Sequence, residues 1–227
     1  MKRFAAILLL CCACFFTHNL QAQHAFGVRF GFNSATVTAP DIISNTIDFD
    51  RATGVNIGVF GEIKVSDFFS FQPELAFIQK GVSIREGFDI KLFDIPLPIG
   101  AEAVTKINYL EVPLLAKFST GGEGVKAYAI VGPSLGYATG GRLKAKANLL
   151  IDIPLSNTKY DLDAVGVNRF ELGGVLGAGV EFPMGNGALV LDARYQRGFT
   201  DVNAVPVVDL NTRNASFGMN IGYMVRL

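Results

Sequence analysis

The stretch Asn108-Tyr109-Leu110-Glu111-Val112-Pro113-Leu114-Leu115-Ala116-Lys117-Phe118 separates into two rows. Leu110, Val112, Leu114, Ala116 and Phe118 form an apolar row, while Tyr109, Glu111 and Lys117 stand on the other. Alternation with a period of two predicts a β-strand with one apolar and one polar face. A helix would scatter the charges among the apolar residues.

The same two-row pattern recurs seven more times, which predicts eight strands. Four lie near 24–36 (Phe26, Val28, Phe30, Phe32 on the apolar row), 51–63 (Val55, Ile57, Val59), 68–80 (Phe69, Phe71, Leu75, Phe77) and 125–138 (Val125, Ala129, Val131, Leu135, Tyr137). Three more lie near 167–182 (Phe170, Leu172, Leu176, Val180), 187–199 (Leu189, Leu191, Tyr195) and at the chain end (Phe217, Met219, Ile221, Tyr223, Val225). The connections alternate in length. Lys64 to Asp67, Ser119 to Gly124 and Pro183 to Asn186 are short, whereas about 37–50, 81–104, 139–166 and 200–212 are long. Tight turns at one end and long loops at the other are the habit of up-and-down barrels in outer membranes. The fold class read from the sequence is therefore all-β, an eight-stranded antiparallel up-and-down transmembrane β-barrel.

Residues 1–22 read as a secretory signal peptide, with Lys2-Arg3 at its start, an apolar run from Phe4 to Phe16 and Leu20-Gln21-Ala22 ahead of the cut. The barrel domain then spans 23–227. All three cysteines, Cys11, Cys12 and Cys14, fall in the leader, so a mature chain would hold no disulfide or thiolate metal site. Without Lys2 and Arg3 the chain carries 18 basic and 20 acidic residues, a net charge of −2 that gives no reason to expect a nucleic-acid partner.

Alternation does not by itself say which row points inward, since a soluble lipid-binding barrel alternates too. The polar row is loaded with glycine, including Gly27, Gly31, Gly58, Gly132, Gly173, Gly177, Gly179, Gly218 and Gly222. In an eight-stranded barrel the interior is barely wide enough for side chains, so long charged residues there need glycines opposite them. A continuous apolar row on all eight strands suits a lipid-facing band. On this reading the interior receives Arg29, Lys80, Lys117, Lys126, Arg169, Arg194 and Arg226 against Glu62, Glu74, Glu111, Glu171, Glu181 and Asp192. Charges buried together must be paired, which favours a plug of salt bridges over an open pore; Lys117 is expected to pair with one of Glu62, Glu74 or Glu111. Pro73, Pro113 and Pro133 sit inside three successive strands, where a missing N–H predicts bulges and a slip in side-chain parity.

The segments Tyr109-Leu-Glu-Val-Pro-Leu-Leu-Ala-Lys-Phe118, Gly132-Pro-Ser-Leu-Gly-Tyr137, Gly177-Ala-Gly-Val-Glu-Phe182 and Arg194-Tyr-Gln-Arg-Gly198 resemble those of the outer-membrane β-barrel, or porin-like, proteins abundant in Bacteroidota, the group that includes the PorT-like proteins. The resemblance implies an eight-stranded outer-membrane barrel, mostly of a kind without an assigned activity. Some PorT-like relatives are linked to a secretion system, and no residue here singles out that role.

No catalytic constellation stands out. Beyond the leader the only histidine is His24, next to the new N-terminus, a poor base for a triad or a metal site. The run Gly173-Gly-Val-Leu-Gly-Ala-Gly179 continues as a strand instead of opening a helix, so it is no nucleotide loop. Glu171 and Glu181 share a face but stand about 33 Å apart by strand rise. Two apolar loop segments share an Asp-Ile-Pro-Leu core, at Asp94–Leu97 and Asp152–Leu155. They are expected to extend the neighbouring strands and pack together; as an interaction surface they would offer Phe93, Ile95, Leu97, Leu150, Ile153 and Leu155. The sequence thus describes a non-enzymatic outer-membrane protein without cofactor. Its expected partners are outer-membrane lipid and, through extracellular loops, another envelope protein. A narrow diffusion channel and a soluble lipid-binding barrel are the competing readings.

Overall fold

The computed structural model describes residues 24–38, 49–92, 95–120, 122, 124–148, 152–160, 162, 168–202 and 212–227. Among them nine strands follow in order: β1 (Ala25–Thr38), β2 (Phe49–Lys64), β3 (Phe69–Leu92), β4 (Ile95–Ser119), β5 (Lys126–Asn148), β6 (Asp152–Tyr160), β7 (Phe170–Met184), β8 (Gly187–Gly198) and β9 (Arg213–Arg226). Eight of them close a ring, β1-β2-β3-β4-β5-β7-β8-β9 and back to β1, every pair antiparallel. Closure runs from Ala25↔Arg226 to Thr38↔Arg213, and the Leu227 N–H donates to the His24 carbonyl at 2.7 Å. First and last strands thereby satisfy each other's ladders and no edge is left in the ring. Residues 1–22, the expected leader, lie outside the described residues.

The two rows take the sides the sequence assigns them. Phe26, Phe30, Phe32, Leu114, Leu135, Leu176, Met219 and Ile221 are exposed on the outer wall, while Arg29, Glu74, Lys80, Glu111, Lys117 and Arg194 are each no more than 4 % exposed. Aromatic pairs mark both ends of the apolar wall. Phe118 packs against Phe68 and Phe69 at the tight-turn end, and Tyr137 meets Phe170 edge-on at the other. Apolar bands flanked by aromatic girdles are the outer surface of membrane barrels.

The structure corrects the sequence reading in three places. First, the connections at 81–104 and 139–166 are largely strand. β3 and β4 pair out to Leu92↔Ile95, β4 and β5 to Gly100↔Asn148, and β6 adds a ninth strand on β5 from Gly141↔Tyr160 to Asn148↔Asp152. β3 and β4 are 24 and 25 residues long, against the ~10 residues a tilted strand needs to cross a bilayer, so this sheet projects far beyond the lipid. Outside lipid the alternation of apolar and polar residues is not required, and the pattern that revealed the strands fades. Second, the prolines make no bulge. The ladder steps over Pro73 from Phe60↔Glu74 to Ile63↔Phe71, over Pro113 from Pro73↔Leu114 to Ala76↔Glu111, and over Pro133 from Pro113↔Ser134 to Ala116↔Val131, in unchanged register each time. Each gap leaves out two residue pairs, the proline's own and its neighbour's, while the proline keeps its pair with the strand on its other side. Third, register slips occur higher up, in β2–β3, β5–β6 and β4–β5. Tyr109 pairs with Ala138 but Asn108 pairs with Gly140, leaving Thr139 as the extra residue, its hydroxyl donating to the Asn108 carbonyl at 3.1 Å.

Candidate functional site: the charged barrel interior

Midway along the barrel two arginines meet two carboxylates. Arg194 donates from Nε and Nη2 to Asp192 (2.8 and 2.9 Å) and from Nη1 to both oxygens of Glu74 (3.0 and 2.8 Å). Arg29 Nε reaches Glu74 Oε2 at 3.0 Å, and its Nη1 donates to Asn56 and Asn220. Gln72 adds a third donor to Glu74, and Asn220 donates to Asp192. A planar guanidinium suits this bridging because its donors lie in a fixed fork.

Two lysine clusters flank this centre. Lys80 bonds Glu111 at 2.6 Å and Glu171 at 2.8 Å, with its ammonium 5.1 Å from the Tyr109 ring centroid. Asn214 donates to the second Glu171 oxygen at 2.6 Å and to the Tyr109 hydroxyl at 3.3 Å. Lys117 bonds Glu62 at 2.6 Å and also Glu181, with its ammonium 4.7 Å from the Tyr128 ring. The Tyr128 hydroxyl donates to Asp192 at 3.1 Å, tying this cluster to the arginine centre. Of the three partners expected for Lys117, Glu62 holds; Glu74 and Glu111 serve other cations, and Glu181 takes their place. Apart from Lys80–Glu111, on the neighbouring β3 and β4, the lysine ion pairs join strands that are not neighbours in the ring, β3 with β7, and β4 with β2 and β7, so they reach across the lumen.

Glycine makes the room. A Cβ on Gly177 would lie 3.1 Å from Arg194 Cγ, and one on Gly179 would lie 2.5 Å from Tyr128 Cζ. Each glycine stands opposite the long side chain it admits, Gly177↔Arg194 and Gly179↔Tyr128.

Sequence reasoning missed two parts of the interior. The amides Asn56, Gln72, Asn214 and Asn220 complete the charge network, and their signal was available, since all lie on the inward row. Apolar residues also face in: Phe60, Leu115, Ile130, Val175, Val190 and Met224 form a cluster with Tyr128, and Val37, Val82, Ile107, Leu162 and Val202 form another with Tyr109. Alternation was read as polar against apolar, so apolar residues on the inner row went unremarked.

Three of the expected interior cations stand at the ends of the barrel. Lys126 opens β5 and Arg226 ends β9, and both line a cavity of about 40 Å³ at the tight-turn mouth together with Glu62, Asp67 and Glu181. Arg169 precedes β7, half-buried, with a bond to the Ala138 carbonyl. Strand ends leave long cations free to reach water, whereas mid-strand ones must find carboxylates. Of the apolar segments, Phe93 and Leu150 lie outside the described residues. Ile95 and Leu97 fall in β4 and Ile153 and Leu155 in β6, with β5 between the two strands. No group of three or more His, Cys, Asp or Glu suited to a metal ion occurs among the described residues.

Solved barrels resemble this one at low identity. They include OprG of Pseudomonas aeruginosa (TM-score 0.49, 13% identity, covering 91% of this chain and 97% of that one) and Ail of Yersinia pestis, solved in complex with a heparin analogue (0.40, 15%, 89% and 99%). The outer-membrane protease OmpT of Escherichia coli is also similar (0.38, 8%, 93% and 99%). No functionally curated protein matches the sequence. The family whose profile does match, over residues 21–204, is described as outer membrane protein beta-barrel domain. With that match over most of its length, and a closed eight-stranded ring beneath it, this chain belongs to the outer membrane protein beta-barrel domain family.

Proposed function

We propose that this outer-membrane barrel is a non-enzymatic scaffold, its interior shut by paired charges and its role carried by the sheet that β3, β4, β5 and β6 raise beyond the membrane. The observation that supports this reading is the pair of lysines that each hold two glutamates inside the barrel, Lys80 with Glu111 of the neighbouring strand and Glu171 across the lumen, and Lys117 with Glu62 and Glu181. A permeation path would have to break both. The tight-turn end, where β1 begins and β9 ends, is the periplasmic side by the habit of such barrels, which sets the tall sheet outside the cell. There it would engage an envelope partner; the PorT-like resemblance makes a secretion-system component one candidate. His24, the first described residue, is exposed at the tight-turn end, and the reading invokes no hydrolytic chemistry.

Planar-bilayer recording tests the closed interior. The reconstituted protein is expected to give no steady conductance above background. Reproducible ion-selective steps that change in Lys117→Gln would replace this reading with a narrow diffusion channel.

A further inference from the structure

We propose that the outer face of the sheet, where β4, β5 and β6 pass the aromatic rim, binds the anionic phosphate headgroups of the leaflet around the barrel. This deepens the reading above and rests on its orientation.

The bulge at Thr139 creates that face. Below it the even positions of β5 point inward, and Tyr128, Ile130, Ser134 and Ala138 are all buried. With Thr139 inserted, Gly141 rather than Gly140 comes opposite the buried Ile107, so the even row turns outward. Arg142 is then exposed and Lys144 half-exposed. Without the bulge both would enter the barrel, adding cations the inner carboxylates already supplied by Lys80 and Arg194 do not need.

The register collects more charge on these rows. Lys106 stands opposite Arg142 on β4, and Lys159 stands opposite Arg142 on β6. Lys106 donates from Nζ to the Thr53 carbonyl at 2.5 Å, which holds its ammonium against the outer wall.

Height decides the partner. Leu110, Tyr137 and Phe170 are the last exposed apolar residues below Lys106 and Arg142, on β4, β5 and β7. Arg142 lies five positions past Tyr137, about 12 Å along the barrel axis at ordinary strand rise and tilt. That is the headgroup layer plus the reach of a long side chain. Cations on the same strands and the same face as the lipid-facing wall therefore meet headgroups before anything arriving from solution, and basic residues at this depth attract anionic lipid.

The test uses the folded full chain in phosphatidylcholine vesicles holding roughly one-fifth phosphatidylglycerol, where each cation near the surface is worth about a fivefold preference at most. Enrichment of spin-labelled phosphatidylglycerol over spin-labelled phosphatidylcholine at the protein surface is measured. The wild type is expected to show enrichment of about threefold that fades in high salt. Lys106→Gln/Arg142→Gln/Lys144→Gln is expected to fall to parity while keeping the heat-dependent gel shift of a folded barrel. Should the triple variant not fold, Arg142→Gln alone carries the test with a partial fall. Absence of enrichment in the wild type, or enrichment unchanged by the substitutions, overturns the proposal. So does a soluble sulfated oligosaccharide that binds the wild type and not the triple variant while lipid enrichment stays put. Conductance in bilayers would sink the closed interior and leave the lipid result standing, so the two failures are separable.

Discussion

Lys80 and Lys117 head clusters of the same composition, one lysine, two glutamates and one tyrosine ring, placed at opposite ends of the lumen. Their surroundings differ. Lys80, Glu111 and Glu171 have side chains no more than 4 % exposed, under an apolar lid that includes Leu162 and Val202 from the connecting segments. At the other end Glu62 keeps 13 % of its side-chain exposure and lines the mouth cavity. The electrostatic attraction is alike in both, so what separates them is whether water can replace a lost partner. An uncompensated buried charge is costly because nothing solvates it.

Lys80→Met is accordingly expected to be the most damaging single change, at about 3–5 kcal/mol in a folding titration into lipid. Its rescue should be asymmetric. Glu171 retains Asn214 as a donor, whereas Glu111 has Lys80 for its ion pair and leaves Oε2 without a hydrogen-bond partner among the described residues. Glu111→Gln should therefore recover more of the loss than Glu171→Gln, and equal recovery would mean the amide contributes nothing. Leu114→Arg comes next. It sets a charge on the lipid face, at about 2–4 kcal/mol near the midplane, and no Glu→Gln change inside should relieve it. If that variant folded as well as the wild type, the outer wall would not be in lipid.

Lys117→Met should cost less, on the order of 1–3 kcal/mol, the range for a buried group left unsatisfied. Glu62 can turn toward the mouth, so Glu181→Gln should rescue Lys117→Met better than Glu62→Gln does. A loss as large as that of Lys80→Met, with equal rescue from both glutamates, would show the mouth to be as dry as the upper end and erase the contrast.

The two clusters also show what a sequence can disclose. Parity on the strands placed Lys80, Glu111, Lys117, Glu171 and Glu181 inside, because lipid on one face and a narrow lumen on the other force a strict two-row pattern. Pairing did not follow from parity. Lys117 took Glu181, distant in sequence and brought across the lumen by ring closure and stagger, neither of which leaves a local signature. Above the rim the constraint lapses, so 81–104 and 139–166 read as long connections, within which only the apolar segments at Asp94–Leu97 and Asp152–Leu155 are expected to continue strands. Thr139, the residue that reverses the faces of β5, has nothing in its type that marks a bulge, while the prolines that do carry such a mark change no register.

The smallest effects should come from the two tyrosines, and they refine the comparison at the level of single atoms. Tyr128→Phe keeps the ring beneath Lys117 and removes only the hydroxyl that donates to Asp192. Asp192 still accepts from Arg194 twice and from Asn220, so the carboxylate stays satisfied. Tyr109→Phe likewise keeps the ring beside Lys80, and there the hydroxyl is an acceptor whose donor, Asn214, also serves Glu171. Neither change strands a charge, so each should cost about 0.5–1.5 kcal/mol, the net worth of one hydrogen bond. Replacing either ring by leucine removes the cation–π contact as well, and the further loss should be on the order of 2 kcal/mol where the ammonium is desolvated. By the same reasoning that ranks the lysines, the step from phenylalanine to leucine should be larger at 109 than at 128, because the ammonium beneath the lid has no water to turn to. If the step at 128 were the larger, stabilisation by the rings would follow their distance from the ammonium, 5.1 Å against 4.7 Å, and not their shelter from solvent.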